Sequence, residues 1–138
     1  MNTVVFDTYV LLDLFVFNDF RAIHLKQALL EQKIDAIATP NTLEEFVDVI
    51  ARPLFSLETA DQERILLEWQ SLARILSDEG LLPSPWRCLD PDDQAFLDLA
   101  FTAKPSVLIS KDNEVLTFSK RALQEGVLIT DNYQALEL

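Results

Sequence analysis

The stretch spanning residues 89–112 constrains the fold of this chain more than any other part of the sequence. It opens with LDPDDQAFLDLA and closes with VLISKD. Asp90 is a favourable helix N-cap, and Pro91 suits the first helical position. Asp93 then shares one helical face with the apolar residues Phe96, Leu97 and Ala100. Because an apolar face packs against the core, the pattern predicts that Asp93 points toward a sheet.

Two further acids follow apolar runs that are typical of buried strands. Asp112 comes just after Val107–Ile109. Asp7 comes directly after Thr3–Phe6. Because the carboxyl ends of parallel strands meet at one edge of a sheet, we expect these two acids and Asp93 at the same edge. For each acid taken alone, capping of a helix is the alternative interpretation.

Three converging carboxylates without a basic partner repel one another, and a bound divalent cation offsets that repulsion. Oxygen ligands without a histidine or thiolate cluster favour Mg²⁺ or Mn²⁺ over zinc. No candidate serine or cysteine nucleophile has a base beside it. The sequence therefore favours attack at phosphorus by metal-activated water.

Length and composition narrow the possible classes of protein. The 138 residues suffice for one domain, predicted to span residues 1–138. The net charge of −12 argues against a broad electrostatic grip on nucleic acid and suits bound cations or a basic partner. Cys88 is the only cysteine, so a disulfide framework is excluded. Without a signal-peptide pattern or a membrane-length apolar run, we expect a cytoplasmic protein with no membrane contact.

The alternation of apolar strands and amphipathic helices predicts a parallel sheet with helices on both faces. The predicted strands are 3–6, 34–38, 86–89, 107–109 and 127–129. The predicted helices are 10–17, one capped by Asn18 or Asp19, one after 39–41, one from Thr59 or Asp61 toward a C-cap at Gly80, one from 91, and one at 114–124. Helix 10–17 is so apolar that it belongs either inside the molecule or in a subunit contact.

Helical periodicity also predicts which side chains face the core. In three helices the inward faces are Phe20, Ile23, Leu29 and Leu30; Leu43, Phe46, Val47 and Ile50; and Ile65, Trp69, Leu72 and Leu76. His24, the only histidine, has no partner at a catalytic spacing and is expected at the surface. With only two glycines, Gly80 and Gly126, a glycine-rich phosphate loop is excluded.

Four segments together resemble the PIN-domain ribonucleases. They are VVFDT at 4–8, EF followed by VIARP at 45–53, DPDD with Ala100 at 90–100, and SKD at 110–112. Their order and spacing match across nearly the whole chain, and the resemblance is closest to the group assigned as toxins of bacterial toxin–antitoxin systems. It implies a three-layer α/β/α sandwich with a mostly parallel sheet, and a Mg²⁺- or Mn²⁺-dependent endoribonuclease.

The resemblance also implies roles for individual residues. The implied metal ligands are Asp7, Asp93 and Asp112. Glu45 would complete the acidic cluster directly or through a water, and it is preferred to Glu44 because of its spacing from Phe46 and the Arg-Pro pair. Ser110 stands where the family usually has threonine and would fix a ligand or a phosphate by hydrogen bonding.

Two residues depart from the family's pattern. Tyr9 stands where asparagine is usual, and Lys111 stands where glycine is common. Tyrosine is bulkier and weakly acidic, so three consequences stay open: stacking on a base, a shifted metal, or a weakened enzyme. Lys111 adds bulk and charge at the mouth of the site. The alternative function is therefore a catalytically weak PIN-like module that binds RNA or protein.

The resemblance extends to partners. An acidic toxin is expected to meet a small, more basic antitoxin protein, and toxins of this group commonly self-associate, which predicts a homodimer. Helix 10–17 is the feature suited to that contact. An aspartate-nucleophile phosphohydrolase is disfavoured because Tyr9 occupies the place of its second acid. A phospho-receiver domain is disfavoured because it needs paired acids at the first strand.

Overall fold

Five parallel strands form the central sheet of the structure, a computed structural model that describes residues 1–136. In chain order they are β1 (Asn2–Phe6), β2 (Ile34–Ala38), β3 (Arg74–Ile75), β4 (Ser106–Ile109) and β5 (Val127–Thr130). Their order across the sheet is β3-β2-β1-β4-β5, so β1 lies at the centre. Val4 pairs with Ala36 on one side and with Val107 on the other. All pairings are parallel, as the sequence predicts.

Seven α-helices accompany the sheet within the described residues. They are α1 (Thr8–Phe15), α2 (Ile23–Leu30), α3 (Pro40–Ile50), α4 (Thr59–Leu72), α5 (Pro91–Thr102), α6 (Asn113–Leu116) and α7 (Ser119–Gln124). The predicted helix 114–124 is thus two helices. None of the helices in residues 1–136 combines the length and the apolar character needed to cross a bilayer.

Alternate residues of the strands pack into two separate apolar layers, because successive side chains of a strand point to opposite faces. Val4 and Phe6 of β1 belong to the layer that contains Trp69 of α4. Val5 belongs to the other layer, which contains Phe96 of α5. The predicted α/β/α sandwich is therefore confirmed.

The predicted strand at 86–89 is wrong, because this segment is an irregular connector. Its apolar character has another cause: Trp86 is almost fully buried, and its ring meets Phe101 of α5 edge-on with centroids 5.5 Å apart. The connector thus fastens to α5 through one large side chain.

The edge strand β3 lies instead inside the segment predicted as one long helix. Helix α4 ends at Leu72, and Ala73 adopts extended backbone angles. Arg74 then pairs with Ile37 of β2, and its guanidinium donates to both carboxylate oxygens of Asp35, at 3.1 and 2.7 Å. Leu76 is therefore not on the helix. Gly80 ends a separate 3₁₀ turn, Asp78–Gly80, rather than capping α4.

The inward face predicted for the second helix is also partly wrong. A 3₁₀ turn, Phe20–Ala22, precedes α2, so the two segments do not share one helical phase. The side chains that α2 buries are Leu25, Ala28 and Leu29, whereas the exposed ones include Phe20, Ile23 and Leu30. On α3, Val49 is buried in place of Val47. His24 is exposed, as predicted.

Helix α1 is enclosed within the chain. Every residue from Thr8 to Phe15 is buried except Tyr9. The central β1 leads directly into it, and its apolar side chains pack in the layer that contains Trp69. Of the two predicted alternatives for this helix, burial inside the molecule is correct, and the helix does not present a face for a subunit contact.

Candidate active site

Asp7 lies where β1 ends and α1 begins, and it is almost fully buried. One carboxylate oxygen accepts the Val10 backbone N–H at 2.9 Å, which caps α1. The other accepts the Ser110 hydroxyl and the Lys111 backbone N–H, the latter at 3.2 Å. Burial raises the pKa of Asp7, and these hydrogen bonds oppose the rise. Asp7 therefore caps α1 and also places a carboxylate at the acidic edge of the sheet.

Ser110 joins the ends of β4 and β1. Its side chain is fully buried; the hydroxyl donates to Asp7 and accepts the Asp112 backbone N–H at 3.1 Å. Asp112 in turn caps α6 by accepting the Glu114 backbone N–H at 2.8 Å. The chain beyond β4 is thus folded back so that Asp112 stays at the edge of the sheet near Asp7.

Helix α5 brings Asp93 to the same edge. Asp90 caps this helix by accepting the Asp92 backbone N–H at 2.9 Å, and Pro91 occupies the first turn, as predicted. Asp93 is half-buried beside Asp112. Burial, followed by the negative charge of Asp112, raises the pKa of Asp93 to about 7.

Glu45 reaches the site from α3, whose start is fixed by a Thr39 side chain that accepts the Thr42 backbone N–H at 3.2 Å. Glu45 is half-buried, whereas Glu44 is exposed. Burial raises the pKa of Glu45 to about 7, and the charges of neighbouring acids add to the rise. The nearby Thr8 hydroxyl acts in the opposite direction and lowers the pKa of Glu45. This hydroxyl is buried, and its geometry does not meet that of a hydrogen bond to any group in the described part of the chain.

The structure therefore places carboxylates from four different segments in one negative field. Asp7 contributes to the raised pKa of both Glu45 and Asp93. Within residues 1–136, however, no three Asp, Glu, His or Cys side chains are close enough together to hold one metal ion. Mg²⁺ is usually bound through one or two carboxylates, waters and phosphate oxygens, so the oxygen donors and the mutual repulsion of this cluster fit such an ion.

Lys111 lies beside the acidic cluster, but its ammonium group binds elsewhere. The Nζ atom contacts a carboxylate oxygen of Asp13 at 2.7 Å, and the Tyr133 hydroxyl donates to that same oxygen. Asp13 is almost fully buried on α1. Tyr9, the other unusual residue, is 54% exposed at the start of α1 and is directed to solvent.

Asp13 and Tyr133 hold the Lys111 side chain, and the sequence patterns did not identify this contact. One signal was present, because Asp13 is the only charged residue within the apolar run 10–17. A buried carboxylate must be paired, which predicts a cationic or hydroxyl partner. Nothing in the sequence identifies that partner as Lys111 or Tyr133, which lie 98 and 120 residues away.

Cys88 lies near the same acids and is held in its thiol form. Burial raises its pKa to about 12, and the charges of Glu114 and Asp93 add to the rise. A thiolate nucleophile at this position is therefore disfavoured.

The sequence matches the model of a known protein family. A family model described as the PIN domain matches residues 3–114, a range that includes every predicted site residue. No curated protein matches the chain. PIN domains are generally nucleases, so the match supports a nuclease-type hydrolase. Because the matched range covers most of the chain and its sheet has the expected α/β/α arrangement, this protein belongs to the PIN-domain family.

Proposed function

We propose that this protein is a metal-dependent endoribonuclease that acts as the toxin of a toxin–antitoxin pair. The observation that carries the proposal is the raised pKa of Asp7, Glu45 and Asp93 at one edge of the sheet. These acids come from the end of β1, from α3 and from α5, so the fold gives up stability to keep them close. Concentrated, destabilised charge of this kind is typical of functional sites.

Each residue then has a distinct role in the proposed reaction. The residues that would hold Mg²⁺ or Mn²⁺ are Asp7, Asp93 and Asp112, with one or two of these carboxylates binding the ion directly and the rest binding it through water. A bound ion supplies an activated water and polarises the phosphodiester. Glu45, with a pKa of about 7, is suited to accept or release a proton near neutral pH. Ser110 holds Asp7 in place, and Tyr9 and Lys111 contact the RNA at the mouth of the site.

The test is a calorimetric titration with Mn²⁺ of the wild type and of Asp93→Asn. Wild type is expected to bind Mn²⁺, and Asp93→Asn is expected to bind it at least about tenfold more weakly. Asp61→Asn is the matched control, because Asp61 is an acid on α4 whose side chain is 46% exposed and pairs with Arg64 at 3.3 Å. RNA cleavage by wild type should require Mn²⁺ and stop with a chelator. Cleavage that persists unchanged in Asp93→Asn would refute the proposal.

A catalytically weak module that binds RNA or protein is the second candidate. It is favoured by the absence of a three-acid metal group in the described residues and by the exposed Tyr9. This candidate predicts RNA binding that is insensitive to chelator and no cleavage with either ion. Chelator-sensitive cleavage would exclude it.

The proposal also includes a small basic antitoxin and a homodimer. The net charge of −12 favours a basic protein partner. Because α1 is enclosed, self-association would have to use another surface, such as the exposed Leu54 and Leu67. Sedimentation of the purified protein at micromolar concentration tests the dimer, and a monomeric mass would count against it.

A further inference from the structure

We propose that a cleft beside the acidic site binds one nucleotide of the RNA strand next to the cleaved phosphate. The cleft lies between the 3₁₀ turn Phe20–Ala22 and the segment 131–134, and we call it the C-terminal cleft. Lys111 and Arg21 would contact a backbone phosphate, and Phe20 would stack on a base. The inference rests on the proposed ribonuclease function and extends it by locating the flanking part of the substrate.

The C-terminal cleft has the size and the wall chemistry of a nucleotide subsite. Its volume is about 380 Å³. Its walls include Phe20, Arg21, Lys111, Asn132, Tyr133 and Gln134. Cations, amides and aromatic rings are the groups that bind single-stranded RNA through phosphates and base faces.

Lys111 connects this cleft to the acidic site. Its backbone N–H donates to Asp7, while its side chain runs into the cleft and ends on Asp13. A phosphate at the ammonium group would therefore be separated from the Asp7 carboxylate by the length of one lysine side chain. The ammonium carries three N–H donors, and the bond to Asp13 uses one of them. Asp13 and Tyr133 thus fix the cation and leave it able to bind an anion.

Arg21 also lines the cleft and is held in the same manner. Its Nε and one terminal nitrogen donate to the Asp19 carboxylate, at 3.0 and 2.6 Å. Its side chain is 61% exposed, so the remaining N–H donors are accessible. This pairing positions the guanidinium in advance, which lowers the entropic cost of binding a phosphate.

The charges within the cleft favour short-range hydrogen bonds to an RNA phosphate rather than long-range attraction of RNA. Asp13 and Asp19 are each bound to one of the two cations, and Asp131 adds a further negative charge to the walls. A net negative neighbourhood does not attract RNA from a distance, in agreement with the overall charge of −12. It does allow one phosphate to accept N–H bonds from two preplaced donors.

Phe20 supplies the feature that favours a nucleotide over a free phosphate. Phe20 is 78% exposed and lines the cleft together with the two cations. Stacking of a base on an aromatic ring tolerates any base, which suits a subsite that positions the strand without reading its sequence.

The test measures binding of a fluorescein-labelled ten-residue oligouridylate by fluorescence anisotropy, with EDTA present to prevent cleavage. The variants are Arg21→Met, Lys111→Met and Phe20→Ala, and the control is Lys33→Met, a cation paired with exposed Glu31. We expect Kd to rise about tenfold in Arg21→Met and in Lys111→Met and to stay unchanged in Lys33→Met. The slope of log K against log salt should also become shallower by about 0.7 for each phosphate that a variant no longer binds.

Arg21→Met is the decisive variant, because Lys111→Met leaves the buried Asp13 with Tyr133 alone and risks unfolding. An unchanged Kd and salt slope in folded Arg21→Met and Phe20→Ala would overturn the inference, as would a failure of wild type to bind the oligouridylate. If the oligouridylate binds in the cleft but wild type neither binds Mn²⁺ nor cuts RNA, the subsite stands and the proposed hydrolysis fails. Metal-dependent cleavage by wild type, together with cleft variants that bind normally, would uphold the hydrolysis and refute the subsite.

Discussion

Ser110 donates a hydrogen bond to Asp7 across 103 residues of sequence and so joins the carboxyl ends of the neighbouring strands β4 and β1. The same hydroxyl accepts the Asp112 backbone N–H. One buried group therefore sets the positions of two proposed metal ligands. We therefore expect the geometry of the site to depend on this bond.

Replacing Ser110 tests that dependence. Ser110→Ala removes the hydroxyl from both partners and leaves a buried Asp7 oxygen with only the Lys111 N–H, so we expect the free energy of unfolding to fall by about 1–3 kcal/mol. Ser110→Thr keeps the hydroxyl and is the matched control, with a smaller decrease expected. Urea unfolding of the three proteins measures the difference, and an alanine variant as stable as wild type would show that the bond contributes nothing.

The acidic cluster predicts an unusual pH dependence of stability. The pKa values of Glu45 and Asp93 are about 7 in the folded protein, whereas the carboxyl groups of the unfolded protein have pKa values of about 4. Between these values the folded protein binds more protons than the unfolded one, so the free energy of unfolding should fall as pH rises from about 4 to about 7. Urea unfolding at about pH 5, 6 and 7 measures this decline, and a free energy that rises or stays level over that range would contradict it.

Asp93→Asn should flatten that decline. The variant removes one of the two titrating carboxyls and one like charge beside Asp112. Above about pH 7 it is therefore expected to be more stable than wild type, and the two proteins should converge toward about pH 4. A decline as steep as that of wild type would mean that Asp93 does not carry the predicted shift.

The connector 81–90 is expected to contribute strongly to stability despite its irregular structure. Trp86→Ala removes a buried indole that packs on Phe101, and deletions of this size cost about 3–5 kcal/mol. Leu89→Ala, at a residue 94% exposed on the same connector, is the control and should change stability by less than about 0.5 kcal/mol. Thermal unfolding of both variants makes the comparison, and similar melting temperatures would contradict the prediction.

Gly126 is predicted to require glycine for its backbone conformation. Its φ is 89°, and an added Cβ would make only ordinary contacts, the nearest at 3.9 Å from Lys104. Gly126→Ala should therefore cost about 1–2 kcal/mol through strain alone. Gly80→Ala is the matched control, since no atom lies within 4 Å and its φ is not positive. Urea unfolding compares the two variants, and equal stability would exclude the strain.

Local patterns in the sequence predicted most of the regular structure. The N-cap Asp90, Pro91 and the spacing of Phe96, Leu97 and Ala100 located α5, because capping and amphipathic periodicity depend on residues only a few positions apart. The apolar runs located four of the five strands for the same reason. The prediction of a PIN-like α/β/α sandwich followed from the order of these elements and from the family's motifs.

Other features depended on contacts between distant parts of the chain. Trp86 was assigned to a strand because apolarity alone does not distinguish pairing with a strand from packing on a helix. The two-residue strand β3 forms because β2 offers an open edge and Asp35 binds Arg74, neither of which is visible in residues 74–75 themselves.

The acids of the site show the same division. The positions of Asp7 and Asp112 after predicted strands, and of Asp93 on the inward face of a predicted helix, indicated that these acids share one edge of the sheet. Only the resemblance to the PIN family added Glu45. The raised pKa values of Asp7, Glu45 and Asp93 arise from burial and from neighbouring charges. The Ser110 bond and the pairing of Lys111 with Asp13 join residues about a hundred positions apart. The sequence by itself thus determines which ionisable side chains are present and which elements carry them. Tertiary packing determines their pKa values and their partners, because desolvation and Coulomb energies depend on distances in space.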